Sequence, residues 1–248
     1  MPGHPIHAWM LSERQPERSH KMSPHAILFG AIGTLTETSE LQRQSFNAAF
    51  AEAGLNWVWE RDAYIEMLHT PGGQRRIELF AQSRGQEVDA VALHSAKVDH
   101  FRRLAEVVGL RPRPGVMDLI EAAQASGVQL GLVSTTGPDT VALVLNGLAD
   151  WVSAGDFSYL GDRTLVARPK PAPDIYLHAL EVLQVAPEEA LAIEDTPESA
   201  MAAVAAGIHT IAFPGEAAAG RAFPEGCREV AELSADLVTE SMEPAQAP

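Results

Sequence analysis

Three groups of polar residues could do chemistry, and each of them follows or interrupts an apolar run. They are the hydroxyls of Ser134, Thr135 and Thr136, the amine of Lys170 between two prolines, and the carboxyls of Glu194 and Asp195. A hydroxyl together with the free backbone N–H groups of a helix start forms an anion site. Prolines fix the backbone on both sides of Lys170 and orient its amine.

Each group also has an ordinary interpretation, which the residues alone leave open. Hydroxyl residues often cap a helix without binding a ligand, and paired acids are favoured near a helix N-terminus by the helix dipole. Lys170, taken by itself, could be a surface lysine.

Apolar runs predict the elements that position these groups. Ala26–Phe29 is a short run bounded by Gly30, as in a buried strand of a parallel sheet. Gly33-Thr34-Leu35 ends that run, and the pattern is helical from Thr38 to about Val108. In this helical block, amphipathic stretches separated by Gly or Pro cover Arg61–Leu68, Arg75–Ala81 and Asp89–Val108.

After Gly115, predicted strands and helices alternate. The strands are Val128–Val133, a weak one at Phe157–Leu160, Leu191–Glu194 and His209–Phe213; the helices are Val116–Ala125, Pro138–Leu148, Pro173–Leu183 and Pro197–Ala206. This alternation predicts an α/β fold with a parallel sheet covered on both faces. Functional residues collect at the carboxyl ends of the strands in such sheets, where all three polar groups are expected.

Four segments of the chain, taken in their order along the sequence, resemble the motifs of the haloacid dehalogenase (HAD) superfamily. The resemblance extends from about Ala26 to Gly215. The first motif, DxDGTL, is represented by GAIGTL, the second by VSTTG, the third by RPKPAPDIY and the fourth by LAIEDTPESA. The helical insertion after the first strand, GTLTETSELQRQSFNAAFAEAGLNWVWERDAYIEML with TPGGQRRI, is most similar to the CbbY-type sugar-bisphosphate phosphatases and β-phosphoglucomutase. The resemblance implies a Rossmann-like parallel-sheet core with an inserted four-helix cap.

The resemblance also implies roles for individual residues. Ser134, Thr135 and Lys170 would bind a phosphoryl group, and Glu194 and Asp195 would hold Mg²⁺. Cap-side residues at the matching places would hold the far end of a phosphorylated sugar; they are Glu37, Gln42, Arg43, Gly72, Gly73 and Arg75. For Arg43 and Arg75, solvated charges on helix surfaces are an equally good interpretation.

The chain departs from the family pattern where the chemistry should occur. Gly30 and Ile32 stand in place of the nucleophilic and acidic aspartates, Gln42 replaces a histidine, and Gln74 replaces a lysine. Loss of the nucleophile of a covalent enzyme costs on the order of 10⁶ in turnover. The site keeps Glu194 and Asp195 against Lys170, so any Mg²⁺ site is expected to be weakened, assisted by ligand and water.

Composition limits the classes of partner. A formal net charge of −15 argues against nucleic-acid and anionic-membrane surfaces, because both require dense cationic patches. The single cysteine, Cys227, excludes an intrachain disulfide and fits a reducing cytoplasm.

We expect a disordered extension over 1–21, a core over 22–38 and 110–239, a helical cap over 39–109 and a flexible tail over 240–248. Met22 directly precedes the first strand and is a second candidate for the translation start.

Three hypotheses follow from the sequence. The first is a HAD-fold protein that has lost catalysis and binds a phosphorylated sugar or a protein partner. The second is a sugar-phosphate phosphatase that uses non-standard residues, as the retained second to fourth motifs favour. The third is a structural or interaction module with a vestigial site.

Overall fold

The computed structural model describes residues 23–30, 32–70 and 72–240. The predicted N-terminal extension over 1–21 lies outside these residues, as does the predicted tail beyond residue 240. Among the described residues, no helix combines the length and apolar character that crossing a membrane would require.

The core of the protein is a six-stranded sheet in which every neighbouring pair is parallel. Its strands are β1 Ala26–Gly30, β2 Gln129–Val133, β3 Tyr159–Gly161, β4 Ala190–Glu194, β5 His209–Ala212 and β6 Cys227–Glu229, in the order β3-β2-β1-β4-β5-β6. All five residues of β1 are buried, because this strand is central and both faces of the sheet are covered. Gly30 pairs with Val133 of β2, and Phe29 pairs with Ile193 of β4, so these three strands end side by side.

Eight α-helices accompany the sheet in the described part of the chain. They are α1 Ser39–Glu52, α2 Arg61–Met67, α3 Gly73–Ser83, α4 Ala90–Val108, α5 Val116–Ala125, α6 Pro138–Gly147, α7 Asp174–Leu183 and α8 Pro197–Ala205. Proline occupies the first turn of α6 and α8, where its missing N–H is no loss. Asp89 caps α4 by accepting a hydrogen bond from the Ala92 N–H at 3.0 Å, which satisfies one free donor.

Two apolar clusters cover the faces of the sheet. The larger includes Phe29 and Ile193 and packs against α5 and α6, and the other includes Leu28 and Ala192 and packs against α7 and α8. Successive side chains of a strand point to opposite faces, so Leu28 and Phe29 belong to different clusters. The α/β fold class predicted from the alternation of strands and helices is confirmed.

Helices α1–α4 follow β1 without an intervening strand and form the predicted helical cap. Its interior is aromatic: Phe46, Phe50, Trp57, Trp59 and Tyr64 are all almost completely buried. The Trp59 ring lies 4.6 Å from the Phe46 ring and 4.9 Å from the Phe50 ring, centroid to centroid. The cap therefore has a core of its own, separate from the two clusters on the sheet.

Two details of the sheet differ from the sequence prediction. The weak strand expected at Phe157–Leu160 is β3 at Tyr159–Gly161, and β6 was not predicted. Cys227, Arg228 and Glu229 lack both apolar character and length; they form an edge strand because β5 offers hydrogen-bonding partners. Such pairing leaves no periodic signal in three residues.

Candidate functional site

The polar groups identified in the sequence meet at the carboxyl ends of β1, β2 and β4. Ser134 directly follows β2, Glu194 is the last residue of β4, and Asp195 comes next. Lys170 reaches this edge from the loop before α7. Its Nζ donates hydrogen bonds to the carbonyl oxygen of Val133 at 2.8 Å and to Oε1 of Glu194.

Glu194 is the most deeply buried charged residue of the site, with an exposed fraction of 0%. Its Oε1 accepts hydrogen bonds from the Lys170 ammonium and from the hydroxyl of Tyr176 on α7. Burial, reinforced by the charge of Glu194, raises the pKa of Tyr176 well above its usual value. Tyr176 therefore stays protonated and serves as a donor. The second oxygen, Oε2, is buried and has no hydrogen-bond partner among the described residues.

Gly30 leaves room for the Glu194 carboxylate. A Cβ atom added to Gly30 would lie 2.4 Å from Glu194 Oε2 and 2.5 Å from the Thr34 Oγ1 atom. Both distances are much shorter than van der Waals contact. The space into which a side chain at residue 30 would project is therefore occupied by an acid from the neighbouring strand.

Ile32, at the second altered position, lies in the turn that follows β1. It is half-buried and packs against the larger apolar cluster of the sheet. This side chain contributes to the core and has no group that could transfer a proton.

Asp195 faces the turn after β1. The Thr34 hydroxyl donates to its Oδ1 at 3.2 Å, and a Cβ at Gly33, where φ is +83°, would lie 1.9 Å from Oδ2. Removal from water, with the charge of Glu194 adding to it, raises the pKa of Asp195 to about 7, while Lys170 acts in the opposite direction. A carboxyl group with this pKa can accept or donate a proton near neutral pH.

The hydroxyl segment after β2 has its own internal bonds. The Thr136 N–H donates to Ser134 Oγ at 3.0 Å, and the two hydroxyls lie 2.9 Å apart. Helix α6 begins two residues later without a side-chain cap on its first N–H groups. The segment therefore combines a local turn with helix-start donors that could bind an anion.

Glu37 connects the start of the cap to the core. Its Oε1 accepts from the Ser39 N–H at 2.9 Å, and its Oε2 accepts from the Glu216 N–H at 2.8 Å. Both carboxylate oxygens thus bind backbone donors, one on each side of the junction between the first strand and the cap.

The other cap-side candidates divide into two groups. The Arg43 guanidinium bonds to Glu40 and to the Trp59 carbonyl oxygen at 2.7 Å, and Arg75 pairs with Glu78 at 3.2 Å on an exposed face. Gln42 instead points inward, and its Oε1 accepts from Lys97 Nζ at 2.7 Å. Arg75 therefore has the geometry of an exposed helix-surface charge, whereas the largely buried Arg43 side chain links α1 to the loop before α2.

Glycines 72 and 73 open the turn into α3. Gly72 has a φ of +88°, which favours glycine. A Cβ on Gly73 would lie 2.7 Å from the ring of His94. The absence of a side chain at Gly73 therefore lets α3 approach α4 at this point.

Sequence reasoning missed a group of basic residues in the cap, made of Arg76, His94 and Lys97. Burial and the charges of Lys97 and Arg76 lower the pKa of His94 to about 4, so its imidazole is neutral near pH 7. Lys97 is 6% exposed, and its Nζ lies 5.0 Å from the Phe46 ring centroid. No carboxylate lies within 4 Å of Lys97 or Arg76 among the described residues. Burial and the charge of Arg76 lower the pKa of Lys97 to about 7.

A signal for this lysine was available in the sequence. Leu93, Lys97, Phe101 and Ala105 recur every four residues along α4, and all four are buried. A lysine at a buried phase of an amphipathic helix is unusual. Its position in the periodic pattern could have identified it.

The site has two carboxylates that could take part in holding Mg²⁺. The unpartnered, buried Oε2 of Glu194 is consistent with a missing cation, and Asp195 is adjacent. No cluster of three or more His, Cys, Asp or Glu side chains suited to a metal was found in the described part of the chain. Because Mg²⁺ is often held by one or two carboxylates plus waters and phosphate, Glu194 and Asp195 could supply the protein ligands of such a site.

Comparison with known proteins gives a consistent family. A model of the haloacid dehalogenase-like hydrolases matches residues 24–207. Protein CbbY of Cereibacter sphaeroides is 39% identical over 195 residues, which cover 77% of this chain and 84% of that protein. Hexitol phosphatase A of Escherichia coli is 29% identical over 190 residues, covering 75% of this chain and 81% of that protein.

Solved structures agree in the fold. The crystal structure of CbbY from Rhodobacter sphaeroides in complex with phosphate superposes with a TM-score of 0.75 at 36% identity, covering 84% of this chain and 93% of that chain. A mutant of the same CbbY in complex with xylulose-(1,5)bisphosphate gives a TM-score of 0.74 at 35% identity and the same coverage.

Proposed function

The chain belongs to the haloacid dehalogenase-like hydrolases, and we propose that it binds a phosphorylated sugar while hydrolysing it far more slowly than a phosphatase of this family. The observation that carries this proposal is the position of the Glu194 carboxylate. It fills the space in front of Gly30, where the family's nucleophile would project. No side chain at residue 30 can form an aspartyl phosphate.

Glu194 is a poor replacement for the nucleophile. Its Oε1 is bound by Lys170 and Tyr176, and these charge-assisted hydrogen bonds withdraw electron density from the carboxylate. The side chain is also fully buried, so a substrate would have to displace its surroundings to reach it. Ile32 provides no acid for the leaving group.

Several features support retained binding. The hydroxyl segment and the start of α6 offer donors to an anion. The cap contributes Arg76 and Lys97, which have no carboxylate partner in the described residues. CbbY, which is similar over most of this chain, has been crystallised with phosphate and, as a mutant, with xylulose-(1,5)bisphosphate. A phosphorylated sugar is therefore the proposed ligand, with Mg²⁺ bound weakly through Glu194 and Asp195.

Thermal shift and calorimetry test this function. Purified protein is titrated with xylulose 1,5-bisphosphate and with glucose 6-phosphate, each with and without Mg²⁺, and phosphate release is followed in the same samples. We expect a ligand-dependent rise in Tm with negligible phosphate release. Absence of binding to every sugar phosphate, or turnover in the range of about 1–10³ per second, would contradict the proposal.

One observation favours a second candidate, slow hydrolysis by an activated water. Asp195 combines a pKa of about 7 with a hydrogen bond from Thr34, as a general base near neutral pH requires. In that case phosphate release would rise with pH through about 7 and disappear in Asp195→Asn. A flat, Asp195-independent rate would remove this candidate.

A further inference from the structure

The lysine of the site carries little free positive charge for a ligand. An ammonium has three N–H donors, and Lys170 uses two of them on Val133 and on Glu194. The Glu194 charge is buried against it, and Asp195 lies next to Glu194. Without Mg²⁺, a phosphate dianion near this pair would be attracted by one lysine and repelled by two acids, so binding in the absence of metal needs a further cation.

Arg163 is held beside the hydroxyl segment by backbone hydrogen bonds. Its N–H donates to the carbonyl oxygen of Thr136 at 2.9 Å, and the Leu165 N–H donates to the carbonyl oxygen of Asp162 at 3.3 Å. The nearest acid in sequence, Asp162, is engaged elsewhere: its Oδ1 accepts from the Thr164 N–H at 2.7 Å and from the Thr164 hydroxyl at 2.6 Å. This turn fixes the backbone of Arg163 without neutralising its guanidinium.

The guanidinium of Arg163 is available to a ligand. The residue is exposed, and in the described part of the chain no carboxylate lies within 4 Å of it. By contrast Arg168, five residues later in the same loop, is paired with Asp174 at 2.9 Å. The guanidinium of Arg163 is therefore available to bind an anion, whereas that of Arg168 is neutralised by Asp174.

The charge of Arg163 also acts on a residue of the cap. Its positive charge contributes to the lowering of the His94 pKa to about 4, after burial and the charges of Lys97 and Arg76. His94 lies on α4 of the cap, and Arg163 lies on the loop after β3, where its N–H donates to Thr136 of the hydroxyl segment. A ligand held by both parts of the protein would pass beside it.

We infer that Arg163 is a ligand-binding residue, the cation of the core that contacts an anionic phosphoryl group lying between the hydroxyl segment and the cap. This inference rests on the proposed binding of a phosphorylated sugar and assigns the core-side positive charge to Arg163 in place of the neutralised Lys170. A guanidinium suits this role because its planar N–H groups bind two phosphate oxygens at once.

The test compares Arg163→Gln with the matched control Arg168→Gln. Calorimetry at low salt measures the affinity of each variant and of wild type for xylulose 1,5-bisphosphate and for inorganic phosphate. We expect about a tenfold loss of affinity in Arg163→Gln, the size of a lost charge-assisted contact, and wild-type affinity in Arg168→Gln. Equal affinities in Arg163→Gln and wild type would overturn the inference.

A second measurement separates this inference from the proposed function. NMR titration of His94 reports its pKa in each variant, which should rise in Arg163→Gln and stay unchanged in Arg168→Gln. If wild type binds no sugar phosphate, the proposed function fails, and inorganic phosphate decides about Arg163. A phosphate-induced shift of the His94 signals in wild type but not in Arg163→Gln would support the anion contact. No shift in wild type would overturn it.

Discussion

Returning an aspartate to residue 30 should destabilise the protein in the absence of metal. The new Cβ would lie 2.4 Å from Glu194 Oε2, and Glu194 is fixed by Lys170 and Tyr176. The two carboxylates could separate only to about 4 Å, where two unit charges interact by about 4 kcal/mol at an effective dielectric constant of about 20. We expect Gly30→Asp to lose about 2–4 kcal/mol of unfolding free energy at pH 8, because uptake of a proton relieves part of the repulsion.

Urea denaturation measures this loss, and Gly30→Ala is its matched control. Alanine adds the Cβ and its steric conflict but no charge, so it should lose only about 1 kcal/mol. The difference between the two variants should shrink at pH 5, where one carboxyl is protonated. Mg²⁺ should restore Gly30→Asp, because a cation shared by both carboxylates cancels the repulsion, and saturation at about 100 times Kd contributes about 2.7 kcal/mol.

A specific result would refute this reasoning. If Gly30→Asp is no less stable than Gly30→Ala at pH 8 without metal, Glu194 does not occupy the space in front of residue 30. If both variants lose the same stability and Mg²⁺ restores neither, the loss of stability is caused by the steric conflict of the added Cβ. The aspartate at residue 30 would then not act as a metal ligand.

Three further predictions concern single side chains. Asp195 has a pKa of about 7 in the folded protein, against a usual value of 3.8, so between these pH values the native state binds an extra proton and wild-type stability falls as pH rises. Asp195→Asn should therefore gain about 1–3 kcal/mol of unfolding free energy at pH 8 and nothing at pH 4 in urea denaturation. An equal gain at both pH values would contradict this prediction. Lys97 has a pKa of about 7 in the folded protein, against a usual value of 10.5, so the unfolded state binds more protons between these pH values. Lys97→Met should gain about 2–4 kcal/mol of unfolding free energy at pH 6 and lose this advantage as pH rises toward 10.5. A pH-independent effect would show that the amine is solvated. The Arg113 guanidinium lies 3.4 Å from the Phe213 ring centroid and donates to the carbonyl oxygens of Gly33, Phe213 and Pro214. Arg113→Gln should cost about 2–4 kcal/mol of unfolding free energy in the same assay, whereas Arg111→Gln, at an exposed residue, should cost less than about 0.5 kcal/mol. Similar costs for both variants would show that the hydrogen bonds of Arg113 are not the cause.

The element order was predictable because it depends on local information. Gly30 and Gly33 close the first apolar run and the helical pattern starts near Ser39, so the end of β1 and the start of α1 could be placed within a residue. The adjacency of Lys170 and Glu194 was expected because parallel strands end at one edge of the sheet. The extent of the cap as a unit, residues 39–109, remains a prediction.

Side-chain arrangement was less predictable because it depends on residues far apart in the chain. Glu194 can lie over β1 only because residue 30, more than 160 positions earlier, has no side chain. Similarly, the buried amine of Lys97 is tolerated because Gln42, on another helix, accepts its hydrogen bond at 2.7 Å. Motif matching assigns each position separately and therefore cannot show these dependencies.

The Glu194 arrangement also explains why position 30 cannot be considered alone. With an aspartate at residue 30, the Glu194 carboxylate, held by Lys170 and Tyr176, would face a second negative charge at about 4 Å. With glycine there, the Glu194 carboxylate occupies the space in front of residue 30 and neutralises Lys170. The glycine and the buried ion pair therefore depend on each other. Because that pair neutralises the Lys170 charge, a bound phosphate needs a positive charge from another residue. In this chain we propose that Arg163 provides it, because its backbone is held beside Thr136 and its side chain is exposed.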